Sequence, residues 1–89
     1  MYWDVTYVKP LANYRIQVQL QDGRTGIFDM KPYLEFGVFR ELKDIRYFNR
    51  VGILHGAVTW PHEQDIAPET LLAGLLPADE TTFIRTKSI

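Results

Sequence analysis

Cysteine is absent from this chain of 89 residues, which excludes a disulfide scaffold, a thiolate nucleophile and any cysteine-ligated zinc site. Serine occurs once, as Ser88 in the terminal tail, so hydrolase chemistry of the Ser-His-Asp kind has no nucleophile in the body of the chain. No stretch approaches the ~20 apolar residues that a membrane helix needs. The opening Met1-Tyr2-Trp3-Asp4 has neither the basic nor the apolar region of a signal peptide. A soluble cytoplasmic protein with no membrane association is expected. Gly23, Gly26 and Gly37 are too dispersed to cradle phosphates, and nothing else in the sequence calls for a cofactor. A basic excess is also missing: ten Lys and Arg stand against eleven Asp and Glu, a formal net charge of -1. Phosphate neutralisation drives nucleic-acid affinity, so binding to DNA or RNA without a partner is not expected.

What is present is ordinary for one small globular domain. Hydrophobic residues make up 46% of the chain and aromatic residues 13%, too apolar for disorder. A domain this short buries roughly 60–65% of its unfolded surface, and its rings must supply much of the core. Residues 1–76 are read as a single α+β domain and 77–89 as a polar C-terminal tail.

The clearest element is Tyr14 to Gln21, where Tyr14, Ile16, Val18 and Leu20 alternate with polar residues, the period of a half-buried strand. Asp22-Gly23 follows, a favoured two-residue hairpin turn. That loop predicts pairs Gln21–Arg24, Leu20–Thr25 and Val18–Ile27, and it leaves Phe28 opposite Gln17 on the other face. A second hairpin is predicted around His55-Gly56, pairing Ile53 with Val58 and Val51 with Trp60, these four forming an inner layer. Tyr2 to Val8 reads as a strand before Pro10.

Asp29 is a candidate N-cap for a turn over residues 30–35 that ends at Gly37. Val38 to Asp44 continues at helical spacing. Pro68 can open a third helix with Glu69 near its N-terminal dipole and Leu71, Leu72 and Leu75 on its buried stripe. The expected architecture is a small antiparallel sheet of two β-hairpins plus an N-terminal strand, with two or three short helices on one face.

Trp60-Pro61-His62-Glu63-Gln64-Asp65-Ile66-Ala67-Pro68-Glu69 is the densest stretch of the chain. His62, Glu63 and Asp65, with His55, offer the donors of a metal-dependent enzyme. Yet their spacing fits no helical His-Glu motif, and a strand of roughly 13 Å separates the two histidines. A solvated turn is the reading adopted, with no metal site and no catalytic set. Asp65 is expected to close an Asx turn before the helix.

Arg40, Lys43, Arg46 and Arg50 recur at intervals of three or four, so one helical face could gather them as a docking patch for an acidic partner or a nucleic-acid backbone. Glu35, Glu41 and Asp44 interrupt that field, and a solvated face with local ion pairs is the plainer account. Phe36, Phe39, Tyr47 and Phe48 read as core.

The ordered set of the alternating strand, Asp22-Gly23, Asp29, Gly37-Val38-Phe39, Leu42-Lys43-Asp44, Phe48, Trp60-Pro61 and Asp65-Ile66-Ala67-Pro68-Glu69-Thr70-Leu71 resembles the domain-of-unknown-function 2442 family over roughly residues 3 to 73. The family motif residues here are Trp60, Pro61, Asp65, Pro68 and Glu69. The resemblance implies a small α+β fold, a bacterial origin and no known catalytic residue. It also implies settings ahead of a helix-turn-helix domain, or beside a second small protein in the manner of a toxin–antitoxin pair. Relatives usually have Asn-Gly after Trp-Pro, so His62-Glu63 predicts a wider loop in this chain.

The expected function is therefore a non-enzymatic protein-interaction module with a protein partner or a second copy, antitoxin-like in a two-protein system. The alternative is an accessory domain in transcriptional regulation that touches DNA through the basic face. A tail segment, Thr82-Phe83-Ile84, could add to a sheet edge in a partner complex.

Overall fold

The computed structural model describes residues 4–77; Tyr2, Trp3 and the tail segment Thr82-Phe83-Ile84 lie outside them. The fold is α+β, as expected. Strands β1 (Val5–Leu11), β2 (Arg15–Leu20) and β3 (Thr25–Asp29) form an antiparallel meander that a two-residue strand, β6 (Leu76–Pro77), extends beside β3. Strands β4 (Gly52–Leu54) and β5 (Ala57–Thr59) make a separate two-stranded sheet. The two hairpins therefore do not share one sheet; they meet where the Val5 N–H donates to the Gly56 carbonyl at 2.8 Å. Between β3 and β4 run 3-10 helices Lys31–Tyr33 and Gly37–Lys43 and the short helix α1 (Ile45–Phe48); helix α2 (Pro68–Gly74) follows β5.

β1 ends later than the sequence suggests. It runs through Pro10, which pairs with Ile16, and this is tolerated because β1 is an edge strand. Its register shifts between Val5 and Tyr7. Val5 therefore faces Leu20 and Val8 faces Val18, and the bulge turns both valines to the core although they differ in parity. Tyr14 belongs to the β1–β2 turn instead of β2, at φ 58°, an unfavourable conformation for a bulky residue. It is tied there by an edge-on contact with Phe48, ring centroids 5.4 Å apart, and by its hydroxyl donating to the Lys43 carbonyl at 2.6 Å.

The β2–β3 hairpin corrects the predicted register by one residue. Gln19 pairs with Thr25, Gln17 with Ile27 and Ile16 with Phe28. The loop is Gln21-Asp22-Gly23, closed by the Leu20 N–H to the Arg24 carbonyl and the Gly23 N–H to the Leu20 carbonyl, 2.8 and 2.9 Å. Gly23 takes φ 96°, as the third residue of such a loop requires. Asp22 Oδ1 accepts the Arg24 N–H at 3.0 Å, and this bond holds the Asp22 carboxyl below the usual carboxylate range. One residue of slip exchanges the faces of a strand, so Phe28 joins the main core cluster beside Ile16, while Ile27, still buried, stands outside that cluster.

The core joins Val5, Ile16, Val18, Leu20 and Phe28 to Met30, Leu34, Leu42, Tyr47, Phe48, Val58, Trp60, Ile66 and Leu71. Gly26 lets α2's exit pack onto the sheet, since a Cβ there would lie 2.4 Å from Leu75 Cγ. The β4–β5 register is as predicted: Ile53 faces Val58 across the His55-Gly56 turn, with φ of 52° and 77°. The inner layer is incomplete, however. Val58 and Trp60 are buried and Val51 packs beside them, whereas Ile53 is exposed.

Helical segments sit near their predicted places, but the first two tighten into 3-10 form. The Asp29 carboxylate accepts the Lys31 N–H at 2.9 Å, but the N-cap of the 3-10 helix is Met30, without a side-chain cap, and not the predicted Asp29. Asp44 breaks the chain at ψ 112° and then caps α1, accepting the Arg46 N–H at 3.0 Å. That break interrupts the single basic helical face that spacing suggested. Of the four aromatics read as core, Tyr47 and Phe48 are buried, Phe39 is half-buried and Phe36 is 63% exposed. Among the described residues, no helix is long and apolar enough to cross a membrane.

Candidate functional site

Strand β5 is followed directly by Trp60, which is 2% exposed and donates its indole N–H to the Phe48 carbonyl at 2.9 Å. Beyond it the chain reverses through Pro61-His62-Glu63. The Glu63 N–H donates to the Trp60 carbonyl and the Trp60 N–H to the Gln64 carbonyl, both at 2.9 Å. Proline suits the second position of such a turn because its φ is already set. The Ile66 N–H then donates to the Val58 carbonyl at 3.1 Å and Asp65 bridges Thr59, so residues 64–66 run back along β5 towards α2.

The loop is tight, contrary to the wider one that the lost Gly predicted. Its third residue, Glu63, simply adopts φ 72°, where relatives usually place Gly. A left-handed conformation costs a residue with a Cβ about 1 kcal/mol or more. Glu63→Gly is therefore expected to stabilise the domain by about 0.5–1 kcal/mol, less than the relieved strain because Gly also enlarges the unfolded ensemble. Urea unfolding would show a higher midpoint at unchanged slope; an unaltered midpoint would mean that Glu63 is unstrained.

A polar network of four side chains fastens this loop to the 3-10 helix Gly37–Lys43 and to α1. Gln64 is buried at 2% exposure. Its Oε1 accepts the Tyr47 hydroxyl at 2.6 Å, and its Nε2 donates to the Val38 carbonyl and Glu41 Oε1 at 3.0 and 2.9 Å. The Tyr47 hydroxyl also accepts the His62 N–H at 2.8 Å. Glu41 Oε2 lies 2.7 Å from His62 Nδ1, and the Tyr47 ring stacks on the imidazole at 5.2 Å. No buried side-chain nitrogen or oxygen among the described residues is left unsatisfied.

A carboxylate on one imidazole nitrogen is half of an acid–base arrangement. Here both carboxylate oxygens and the ring face are spent on the loop, and the Tyr47 hydroxyl is engaged by Gln64 and by the His62 N–H. The remaining predicted residues scatter. Among the described residues, no three of His, Asp and Glu converge as a metal site. Among the described residues, Glu63 and Asp65 make no side-chain hydrogen bond or ion pair. Asp65 thus fails to close the predicted Asx turn; α2 starts at Pro68 behind Ala67, which supplies no side-chain cap, with Glu69 in its first turn. Arg40 and Lys43 lie on the 3-10 helix Gly37–Lys43, Arg46 on α1 and Arg50 beyond it. Lys43 is engaged by Glu35 at 2.6 Å.

Glu41, Tyr47 and Gln64 escaped the reading of the sequence. Their separations of 17 and 23 residues leave no local spacing to find. The only signal is a glutamine at a position whose neighbours on either side alternate with buried residues.

Two concavities flank residues 60–67. A shallow one of about 700 Å3 crosses the β4–β5 hairpin and includes Arg50, Leu54, Thr59, Pro61, Glu63 and Asp65. A smaller one of about 270 Å3 is lined by Phe28, Met30, Tyr33, Phe39, Ile66 and Ala67, with Asp65 and Thr70 as its polar members.

No curated protein and no solved structure matches the chain. Residues 5–77 match the family described as "Protein of unknown function (DUF2442)". That span holds every strand and helix just described, including the Trp60-Pro61 turn and the start of α2 at Pro68, and the chain is a member of that family.

Proposed function

We propose that this protein is a non-enzymatic interaction module, the regulatory and antitoxin-like partner in a bacterial two-protein system. The observation that carries this reading is where polar and apolar groups are spent. The best-organised polar side chains, Glu41, Tyr47, His62 and Gln64, hold a loop in place. Meanwhile Phe36, Val38, Leu54 and Leu76 stand 58–67% exposed. Large apolar side chains left in solvent are available for association with a partner.

Co-expression with the product of the adjacent gene is the test. The two chains are expected to co-purify and to elute as one species by size-exclusion chromatography with light scattering. A chain that stays alone and monomeric overturns the reading.

The second reading, an accessory domain that touches DNA, is favoured by the side chains of Arg40, Arg46 and Arg50, none of which forms an ion pair among the described residues. It requires a salt-dependent shift of duplex DNA, and the absence of any shift at low salt removes it.

A further inference from the structure

Asp65 is shared by both concavities. It is exposed, and its carboxylate has no partner among the described residues. The smaller concavity beside it is walled by Phe28, Met30, Tyr33, Phe39 and Ile66, with the Phe28 and Tyr33 rings stacked at 5.8 Å. At about 270 Å3 it falls below the ~300–1,000 Å3 of pockets that take whole small molecules. It suits one large apolar side chain. Glu63, likewise without a side-chain partner among the described residues, lies on the wall of the larger concavity together with Arg50. The apolar socket therefore adjoins one unpaired carboxylate, that of Asp65, with Glu63 and the cation Arg50 in the concavity beyond it.

From this juxtaposition we propose that the socket receives a segment of a partner protein in which a large apolar residue neighbours a Lys or Arg. The apolar side chain enters between Tyr33, Phe39 and Ile66. The cation lies over Asp65. An acidic segment is rejected by the same carboxylate. This inference rests on the interaction-module reading and names its surface and its partner's chemistry. It also gives a recognition role to Asp65, the motif residue that structural duty leaves unemployed.

The probe is a blocked peptide, acetyl-Gly-Phe-Arg-Gly-amide, titrated into the 15N-labelled full chain and followed by amide shifts. Saturable shifts at Asp65, Ile66 and Thr70, with a Kd in the millimolar range, are expected. Replacing the peptide's Phe by Ala, its Arg by Glu, or Asp65 by Asn in the protein should each weaken binding at least about tenfold. Asp65→Asn removes no side-chain bond, so its spectrum should keep the dispersion of the folded chain.

Shifts that map elsewhere, that survive Asp65→Asn, or that fail to develop at millimolar peptide overturn the proposal. So do shifts at these amides on raising protein concentration alone, which would assign the socket to a second copy presenting its exposed Ile45-Arg46. Co-purification separates the two levels. If the Asp65→Asn chain retains its partner undiminished, the module stands and this socket is not its surface.

Discussion

Trp60→Ala is expected to cost this domain about 3–5 kcal/mol, the range for removing a large buried aromatic side chain. Three losses add. The indole leaves a cavity among Phe48 and its neighbours, with the Phe48–Trp60 ring contact at 5.9 Å gone. The Phe48 carbonyl loses the indole N–H that it accepts at 2.9 Å and keeps only the longer bond from the Val51 N–H at 3.2 Å, so part of its hydrogen bonding is forfeited. The β5 end also loses the weight that anchors the Pro61-His62-Glu63 reversal. A small domain has about 5–15 kcal/mol in total, so a large share of its stability is at stake. Trp60→Phe separates the contributions: it keeps much of the apolar burial but removes the donor, and about 1–2 kcal/mol should remain lost. Chemical denaturation followed by far-ultraviolet circular dichroism measures both. If Trp60→Ala unfolds within 1 kcal/mol of the parent, Trp60 is not the keystone of the core.

The second large effect is Gln64→Ala, expected at about 2–4 kcal/mol. Gln64 is a buried polar side chain in the core region, and it answers three groups at once: the Tyr47 hydroxyl, the Val38 carbonyl and Glu41. Truncation opens a cavity and leaves the Tyr47 hydroxyl without its acceptor in surroundings where water does not replace it. Gln64→Glu should be no milder, because a second carboxylate would face Glu41 where an amide now donates.

Tyr47→Phe supplies the other corner of a double-mutant cycle. Coupling of about 0.5–3 kcal/mol between the two positions is expected if the network acts as a unit. Strict additivity would show that the 2.6 Å bond carries no share of the loop's stability. Both variants should also alter the His62 resonances, since Tyr47 holds that residue by its backbone N–H and by its ring.

Taken with Glu63→Gly, these variants describe a loop held by two opposing influences. Backbone strain at Glu63 works against it, and the Gln64 network and the buried indole work for it. The tight turn persists without Gly because the network and the indole are together worth several times the strain. The Trp-Pro stretch is thus structural at Trp60, Pro61 and Gln64, while the Glu63 and Asp65 side chains bond to no other described residue.

Legibility in the sequence followed the range of the forces involved. The β4–β5 register was readable because His55-Gly56 fits only one short turn well. The start of α2 was readable from Pro68-Glu69. The burial of Ile16, Val18 and Leu20 follows from alternation, which any strand with one wet face must show. The first hairpin was misread by one residue because Asp22-Gly23 serves a two-residue loop and also the last two places of a three-residue loop. What decides between them is the larger gain from burying Phe28 against Ile16. That gain depends on Met30, Tyr33 and α2, which no local pattern brings into view.

The same limit governs the candidate site. Composition, charge and motif order determined the class of the molecule: one small α+β domain of this family, without cysteine chemistry or a general basic character. Folding decided which acids are employed. Glu41, far from the loop in sequence, is bound into it, and Asp65, inside the loop, is left out. Side-chain partnership at these distances depends on how α1 and the 3-10 helix Gly37–Lys43 pack beneath the reversal, a balance of many weak contacts summed over the whole core.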